Sequence, residues 1–321
     1  MLLIKRFIAA LSNRLAGCES WLRVLVLFAL AIISPPVCAS DSILVIHDGK
    51  AESANEIIQS LTQHLAKDSV AIDLLDISVK TLPENTALQA YSTIITLGSQ
   101  AAEVTLNENP PTQVLSLLIS KQTWSLLKHK KNGHSRSVIL LDQPIERQLL
   151  LVSELFGDAS SIGVLLGPYS SSFEQDIIDA AKAQKKTLAI KTIQYPDELM
   201  PALSTLTDDV DVLLAEPDAL VYNKRSIQGI LLLTYRSKTP VIGFSQAYSR
   251  AGAMVSLYSS TENIIQQTAE IILEQSPGNH TYFPKYFSIT FNKQVARTLG
   301  LSPPDEKDLI ERIQQKESSH K

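Results

Sequence analysis

The feature that most restricts this chain is an alternation, kept up over nearly its whole length, of short apolar runs with stretches of helical periodicity. Strand-like runs fall at 43–47, 71–76, 93–96, 114–119 and 137–141, and a second series falls at 162–166, 188–193, 210–215 and 240–244. Helical patterns lie between them. In 53–65 the residues Ile57, Ile58, Leu61 and Leu65 share one stripe at the spacing a packed helix needs. The stretches 145–156, 173–184 and 219–236 also read as helices. Runs such as Val212-Leu-Leu-Ala215 are apolar at every position, which fits strands covered on both faces. Alternation of this kind implies a parallel sheet sandwiched by helices.

Gly157-Asp-Ala-Ser160 separates the two series. The expected fold is therefore α/β, with two doubly wound Rossmann-like lobes, one over 40–158 and one over 159–256. The remaining pieces are a strand at 254–258, an amphipathic helix at 261–274, a strand at 286–291 and a short helix at 293–299, closed by Gly300 and Pro303-Pro304. They are too few for a third core. They are expected to cross back, about 257–283 to the first lobe and about 284–321 to the second, leaving a hinge and a polar tail around His320.

Ahead of the alternation stand Lys5, Arg6, Arg14 and Arg23, the apolar run 24–33, and Val37-Cys38-Ala39. This is the tripartite pattern of a secretory signal peptide over 1–39, cleaved after Ala39, and it points to the periplasm. The apolar run is half the roughly 20 residues needed to cross a bilayer, and Pro35-Pro36 ends it. Lipid anchoring through Cys38 is not expected, because Val37 and Pro35 stand where that pattern needs a small residue and a leucine. Both cysteines, Cys18 and Cys38, lie in the leader, so neither a disulfide framework nor a cysteine nucleophile is available afterwards. Losing the leader removes four basic residues and Glu19, which moves the formal charge from −4 to −7. An acidic chain without a basic stripe argues against nucleic acid as a partner.

In open parallel sheets ligands sit beyond the carboxyl ends of the strands. There this chain places His47-Asp48-Gly49, Gly98-Ser99-Gln100 and Ser120-Lys121-Gln122 in the first series, and Gly167 to Ser172, Glu216-Pro217-Asp218 and Gly243-Phe-Ser-Gln246 in the second. The sets suit a small polar ligand, although Ser, Asp and Gly also gather at such places to cap helices and make turns. Ser99 and the hydroxyls of Ser170, Ser171 and Ser172 fall at helix starts, where backbone N–H groups favour anions. Tyr169 adds an aromatic face beside them. Ser245 lies in a relaxed nucleophile-elbow pattern, but the following Tyr-Ser-Arg-Ala-Gly252 makes no convincing helix. No metal-ligand spacing, Walker loop or G-x-G-x-x-G occurs, so the reading is of a cofactor-free, non-enzymatic protein. Glu146 and Arg147 read as a solvated helix face.

Several stretches, taken in order, resemble the periplasmic solute-binding proteins of ABC transporters, in particular the group that includes aromatic amino-acid binders. They are Thr96-Leu-Gly-Ser-Gln-Ala-Ala102, Leu141-Asp-Gln-Pro-Ile-Glu-Arg-Gln-Leu149, Ile162-Gly-Val-Leu-Leu-Gly-Pro168, Pro240-Val-Ile-Gly243 and Phe291-Asn-Lys-Gln-Val-Ala-Arg-Thr-Leu-Gly300. The resemblance implies a type I periplasmic-binding fold, a monomer whose lobes are joined by three crossovers and close on a ligand around a hinge. It nominates Ser99, Gln100, Tyr169, Ser170, Ser171 and Ser172 as ligand-holding, with Glu216 or Asp218 available for an amine. The implied partners are a small-molecule ligand and an ABC permease. The alternative is a sensory or interaction module of the same fold, read by a membrane receptor at the inner membrane. Two departures stand out. Where such proteins carry a glycine-rich segment with an aspartate and a proline, this chain has 120–136 with Trp124 and a lysine-rich loop, and the helix after Thr261 lacks the expected glycine.

Overall fold

In the computed structural model, which describes residues 42–47, 51–65, 71–76, 87–128, 135–274 and 278–319, the apolar runs become two sheets. Residues 1–39, read from the sequence as a leader with cleavage expected after Ala39, and the loop residue Asp48 lie outside the described residues, as does Cys38.

The first series forms β1 (Ser42–His47), α1 (Ala51–Leu65), β2 (Ala71–Asp76), β3 (Thr93–Leu97), α2 (Ser99–Asn107), β4 (Gln113–Ile119), α3 (Lys121–Lys128) and β5 (Arg136–Leu140). Its strands pair in parallel in the order β2-β1-β3-β4-β5. The second series forms α4 (Ile145–Phe156), β6 (Ser161–Leu166), a single 3-10 turn at Ser171–Phe173, α5 (Glu174–Ala183), β7 (Thr187–Thr192), α6 (Leu199–Thr207), β8 (Val212–Leu214), α7 (Ile227–Arg236), β9 (Val241–Gly243), α8 (Gln246–Ala251) and β10 (Val255–Tyr258). Its order, β7-β6-β8-β9-β10, is the same permutation. The two lobes thus repeat one doubly wound topology, each with its order reversal beside the first strand.

The rest of the chain crosses back. Helix α9 (Thr261–Leu273) packs on α1, and β11 (Thr281–Tyr282) extends the first sheet in parallel with β5. Strand β12 (Ser288–Phe291) then joins the second sheet antiparallel to β10, followed by α10 (Lys293–Thr298) and α11 (Glu306–Ser319). The chain passes between the sheets near 141–144, 259–260 and 283–287. The division at 158 drawn from the sequence groups α4 with the first lobe. Its apolar face, Leu149, Leu151 and Val152, packs on the second sheet with Ile162 and Val164.

Strand alternation sorts the side chains onto two faces. In β1, Ile43 and Val45 pack under α1 and α9, whereas Leu44 and Ile46 pack under α2 and α3. Trp124 belongs to this second face rather than to the cleft: it is 5% exposed, and its Nε1 donates to Thr281 Oγ1 at 3.1 Å.

Three local expectations change. The polar tail is helix α11, docked through Leu309 and Ile313, both 0% exposed, while Arg312 and Lys316 clamp Glu154 at 2.7 and 2.6 Å. A stripe of only two buried residues among charges gives a weak periodic signal. The helix expected over 219–236 begins only at Ile227, because Asp218 and Asn223 side chains take the N–H groups of Leu220, Arg225 and Ser226 and turn the chain instead. Arg147 is buried, not solvated. Among the described residues no helix is long and apolar enough to cross a membrane.

Candidate binding cleft

Between the lobes, at the carboxyl ends of their strands, lie two adjoining cavities of about 420 and 260 Å³. They share the walls made by Ser120, Asp142, Gln143, Gln148, Glu216 and Pro217. The first lobe contributes the residues just after β4 and β5, and the second those just after β8 and β9.

A bulge sets the lobe 1 wall. The register between β4 and β5 slips between Ser116 and Ile119, and Leu118 takes a left-handed φ of 60°. Bulges of this kind turn the following side chains off the sheet, and here they aim Ser120 and Lys121 at the crossover. The start of α3 is then closed from within. Ser120 Oγ accepts the Thr123 N–H at 3.2 Å, and Asp142 Oδ2 accepts the Lys121 N–H at 2.6 Å. Burial raises the Asp142 carboxyl above its usual range, and the Lys121 N–H partly offsets this.

In lobe 2, Glu216 stands two residues after the end of β8, beside the order reversal of its sheet. Part of the residue is exposed, but its Oε1 is buried and makes no hydrogen bond. Burial pushes this carboxyl from 4.5 up to about 7, and the charge of Asp142 adds to the rise, against the pull of Gln148 and Lys121. A buried acceptor with nothing donating to it is expensive to keep. Such a group is best understood as waiting for a donor.

Across the mouth, the Lys121 ammonium reaches lobe 2, 2.7 Å from Asp176 Oδ2 and 4.1 Å from the centre of the Phe173 ring. At the hinge, the three crossovers are laced together. Gln143 Nε2 donates to Ser259 Oγ at 2.9 Å, Ser259 Oγ donates to the Tyr286 carbonyl at 2.6 Å, and Arg147 Nη1 donates to Gln143 Oε1 and the Pro284 carbonyl, both at 2.8 Å. Arg147 also grips Glu317 with two bonds at 2.7 and 3.1 Å and lies over the Phe287 ring.

The residues nominated from the sequence separate into three groups. Glu216 and Ser170 line the larger cavity, and Glu216 and Ser245 the smaller. Asp218 is buried but fully engaged: Oδ2 accepts the N–H groups of Tyr169 and Ser170 and the Ser170 hydroxyl at 3.0, 2.8 and 2.9 Å, and Oδ1 accepts from Leu220 and Val221. Gly167 is needed for this brace, since a Cβ there would collide with the Asp218 carboxylate. Ser171 and Ser172 turn their hydroxyls back to the carbonyls of Pro168 and Tyr169. Tyr169, 49% exposed, faces a separate depression with Leu199 and Met200. Ser99 and Gln100 begin α2 but line neither cleft cavity. Ser245 stands at the N-cap position of a real short helix, α8, in ordinary extended backbone, φ −153° and ψ 156°, which is not the strained turn of a nucleophile elbow.

Asp142, Gln143, Gln148 and Phe173 line the cleft without having been nominated. A signal for Asp142 existed, since it follows the apolar run 137–141 and so stands at a strand's carboxyl end. Asp142-Gln-Pro reads equally as a helix start, and that reading hides it.

Comparison with known proteins agrees with this architecture. The family model described as ABC transporter substrate binding protein matches residues 91–306. No curated protein matches the chain by sequence. Among solved structures, the ligand-free, open form of a substrate binding protein with adhesive properties from Clostridium difficile superposes with a TM-score of 0.62 at 16% identity, covering 83% of this chain and 97% of that one. An ABC domain in complex with L-Trp from Streptococcus pneumonia gives 0.52 at 16% identity, covering 83% and 96%. A conserved domain protein from Vibrio cholerae gives 0.53 at 19%, covering 85% and 98%. The fold is the type I periplasmic-binding fold. With two thirds of its length inside the family match, the chain belongs to the ABC transporter substrate binding proteins.

Proposed function

We propose that the protein is exported to the periplasm and captures one small polar or amino-acid-like solute between its lobes, for hand-over to the permease of an ABC transporter. The observation that carries this reading is the inter-lobe cavity of about 420 Å³ with the unpartnered Glu216 Oε1 in its wall. A cavity of that size suits a small metabolite, and polar groups converge on it from both lobes. The leader pattern of residues 1–39 supports export.

Capture by two lobes around a hinge acts through differential binding: a ligand that bridges both walls favours the closed arrangement by what it gains only there. A ligand bound only by the folded chain also raises its unfolding temperature, by about 2.7 kcal/mol of added stability at a hundred times the dissociation constant. The test is a thermal-shift screen over amino acids, amines, sugars, nucleosides and small acids. The pneumococcal neighbour's L-Trp places amino acids among the first compounds. A shift of several degrees with one class is expected, and no shift with any class at millimolar concentration would overturn the reading.

A further inference from the structure

Helix starts and exposed N–H groups at a cleft invite an anion, and the sequence places such starts on both walls. In the folded chain four of those donors are already taken. The Tyr169 and Ser170 N–H groups donate to Asp218, the Lys121 N–H donates to Asp142, and the Thr123 N–H donates to Ser120 Oγ. At two of these starts the protein's own carboxylates, Asp218 and Asp142, occupy the place where a ligand carboxylate would bind.

What remains open has the opposite sense. The larger cavity is walled by five carboxylates, those of Asp142, Glu146, Asp176, Asp179 and Glu216, and by one basic side chain, Lys121. Lys121 is itself committed to Asp176 and the Phe173 ring. The buried atom without a partner is an acceptor, Glu216 Oε1. A cation with N–H donors would satisfy that oxygen and reduce the like-charge repulsion between Glu216 and Asp142 in one step. Among the described residues no three His, Cys, Asp or Glu side chains converge as metal ligands, so the matching cation is organic. The adjoining cavity adds Leu141, Phe244 and Leu257, an apolar wall for a carbon skeleton.

We infer that the cleft takes a small organic cation, an ammonium or guanidinium compound seated between Asp142 and Glu216, and does not recognise its ligand by a carboxylate. This rests on the capture reading above and narrows its ligand class.

The test uses the full chain and matched probes: tyramine, tyrosine and 3-(4-hydroxyphenyl)propionate; agmatine and arginine; putrescine and ornithine. Each is titrated by calorimetry, together with the compounds of the broader screen. At least one amine is expected to bind ten times or more tightly than its amino-acid counterpart, with the deaminated acid silent. Glu216→Gln, whose unfolding midpoint is measured alongside, is expected to weaken that amine at least tenfold. Tighter binding of amino acids or acids than of amines overturns this inference while leaving capture intact. Unchanged amine affinity in a folded Glu216→Gln chain overturns the assignment of Glu216. Absence of binding by every class overturns the capture reading and this inference with it.

Discussion

The hinge and the floor of the cleft both draw on one short stretch, 142–148, yet they treat buried charge in opposite ways. At the hinge, Arg147 is 5% exposed and its donors reach Glu317, Gln143 and the Pro284 carbonyl, with the Phe287 ring beneath. On the floor, Glu216 keeps one buried oxygen with no donor and faces another raised acid, Asp142. A satisfied network fixes a geometry, whereas an unsatisfied one stores a demand that a ligand can meet. The difference separates the part of the molecule that must stay put from the part that must change state.

The sharpest way to break the comparison is Arg147→Ala. It removes one partner of a buried pair and unties two of the three crossovers, at Gln143 and Pro284, so a loss of about 3–5 kcal/mol is expected in denaturant unfolding. A loss under about 1 kcal/mol would mean that the hinge does not depend on this network.

The second effect is on the cleft side and has the opposite sign. Glu216 titrates at about 7 in the folded chain, above the 4.5 of the free side chain, so the folded state holds a proton that the unfolded state has already released. The contribution is whole below about pH 4.5 and is lost as pH rises through about 7, by roughly 3 kcal/mol. The charged and titratable groups around it are Asp142 and Lys121 from lobe 1, Asp218 and Tyr222 in lobe 2, and Glu146, Asp176 and Asp179 on the cavity wall. Glu216→Gln removes that loss. The variant is expected to be about 3 kcal/mol more stable than the natural chain at pH 8 and equal to it at pH 4, read as the difference between the two unfolding curves. Equal stability at both pH values would mean that the carboxyl is already satisfied.

The smallest effect belongs to the contact across the mouth. Lys121 and Asp176 have side chains 31% and 61% exposed, and a pair so open to water is worth at most about 1 kcal/mol. Lys121→Ala is therefore expected to leave stability within about 1 kcal/mol of the natural chain while making the lobes open more readily, seen as a larger radius in small-angle scattering. An unchanged radius would show that Lys121 does not hold the mouth.

Much of the architecture was legible in the sequence because parallel strands buried on both faces leave runs that no other element explains, as at 162–166 and 93–96. Helix α11 was not, since only Leu309 and Ile313 mark its inward face amid charges. The cleft was half legible. Strand ends pointed to Glu216 and Ser245, but the same rule pointed to Ser99, which lies outside the cavities. A sequence also does not tell a carboxylate spent on its own backbone, Asp218, from one left unpaired two residues earlier. That distinction rests on which N–H groups the fold brings near, and Tyr169 and Ser170 are 49 and 48 residues away from Asp218 in the chain. Arg147 misled for a related reason: its partners Pro284 and Glu317 come from far along the chain, 137 and 170 residues away.

The most direct measurement is a crystal structure of the chain grown with the tightest-binding probe of the matched set. The result expected is that molecule between the lobes, its cationic nitrogen within hydrogen-bond distance of Glu216 Oε1 and the hinge contacts of Arg147 unchanged. A molecule bound instead in the depression beside Tyr169, or held in the cleft by its carboxylate with Glu216 untouched, would contradict the account.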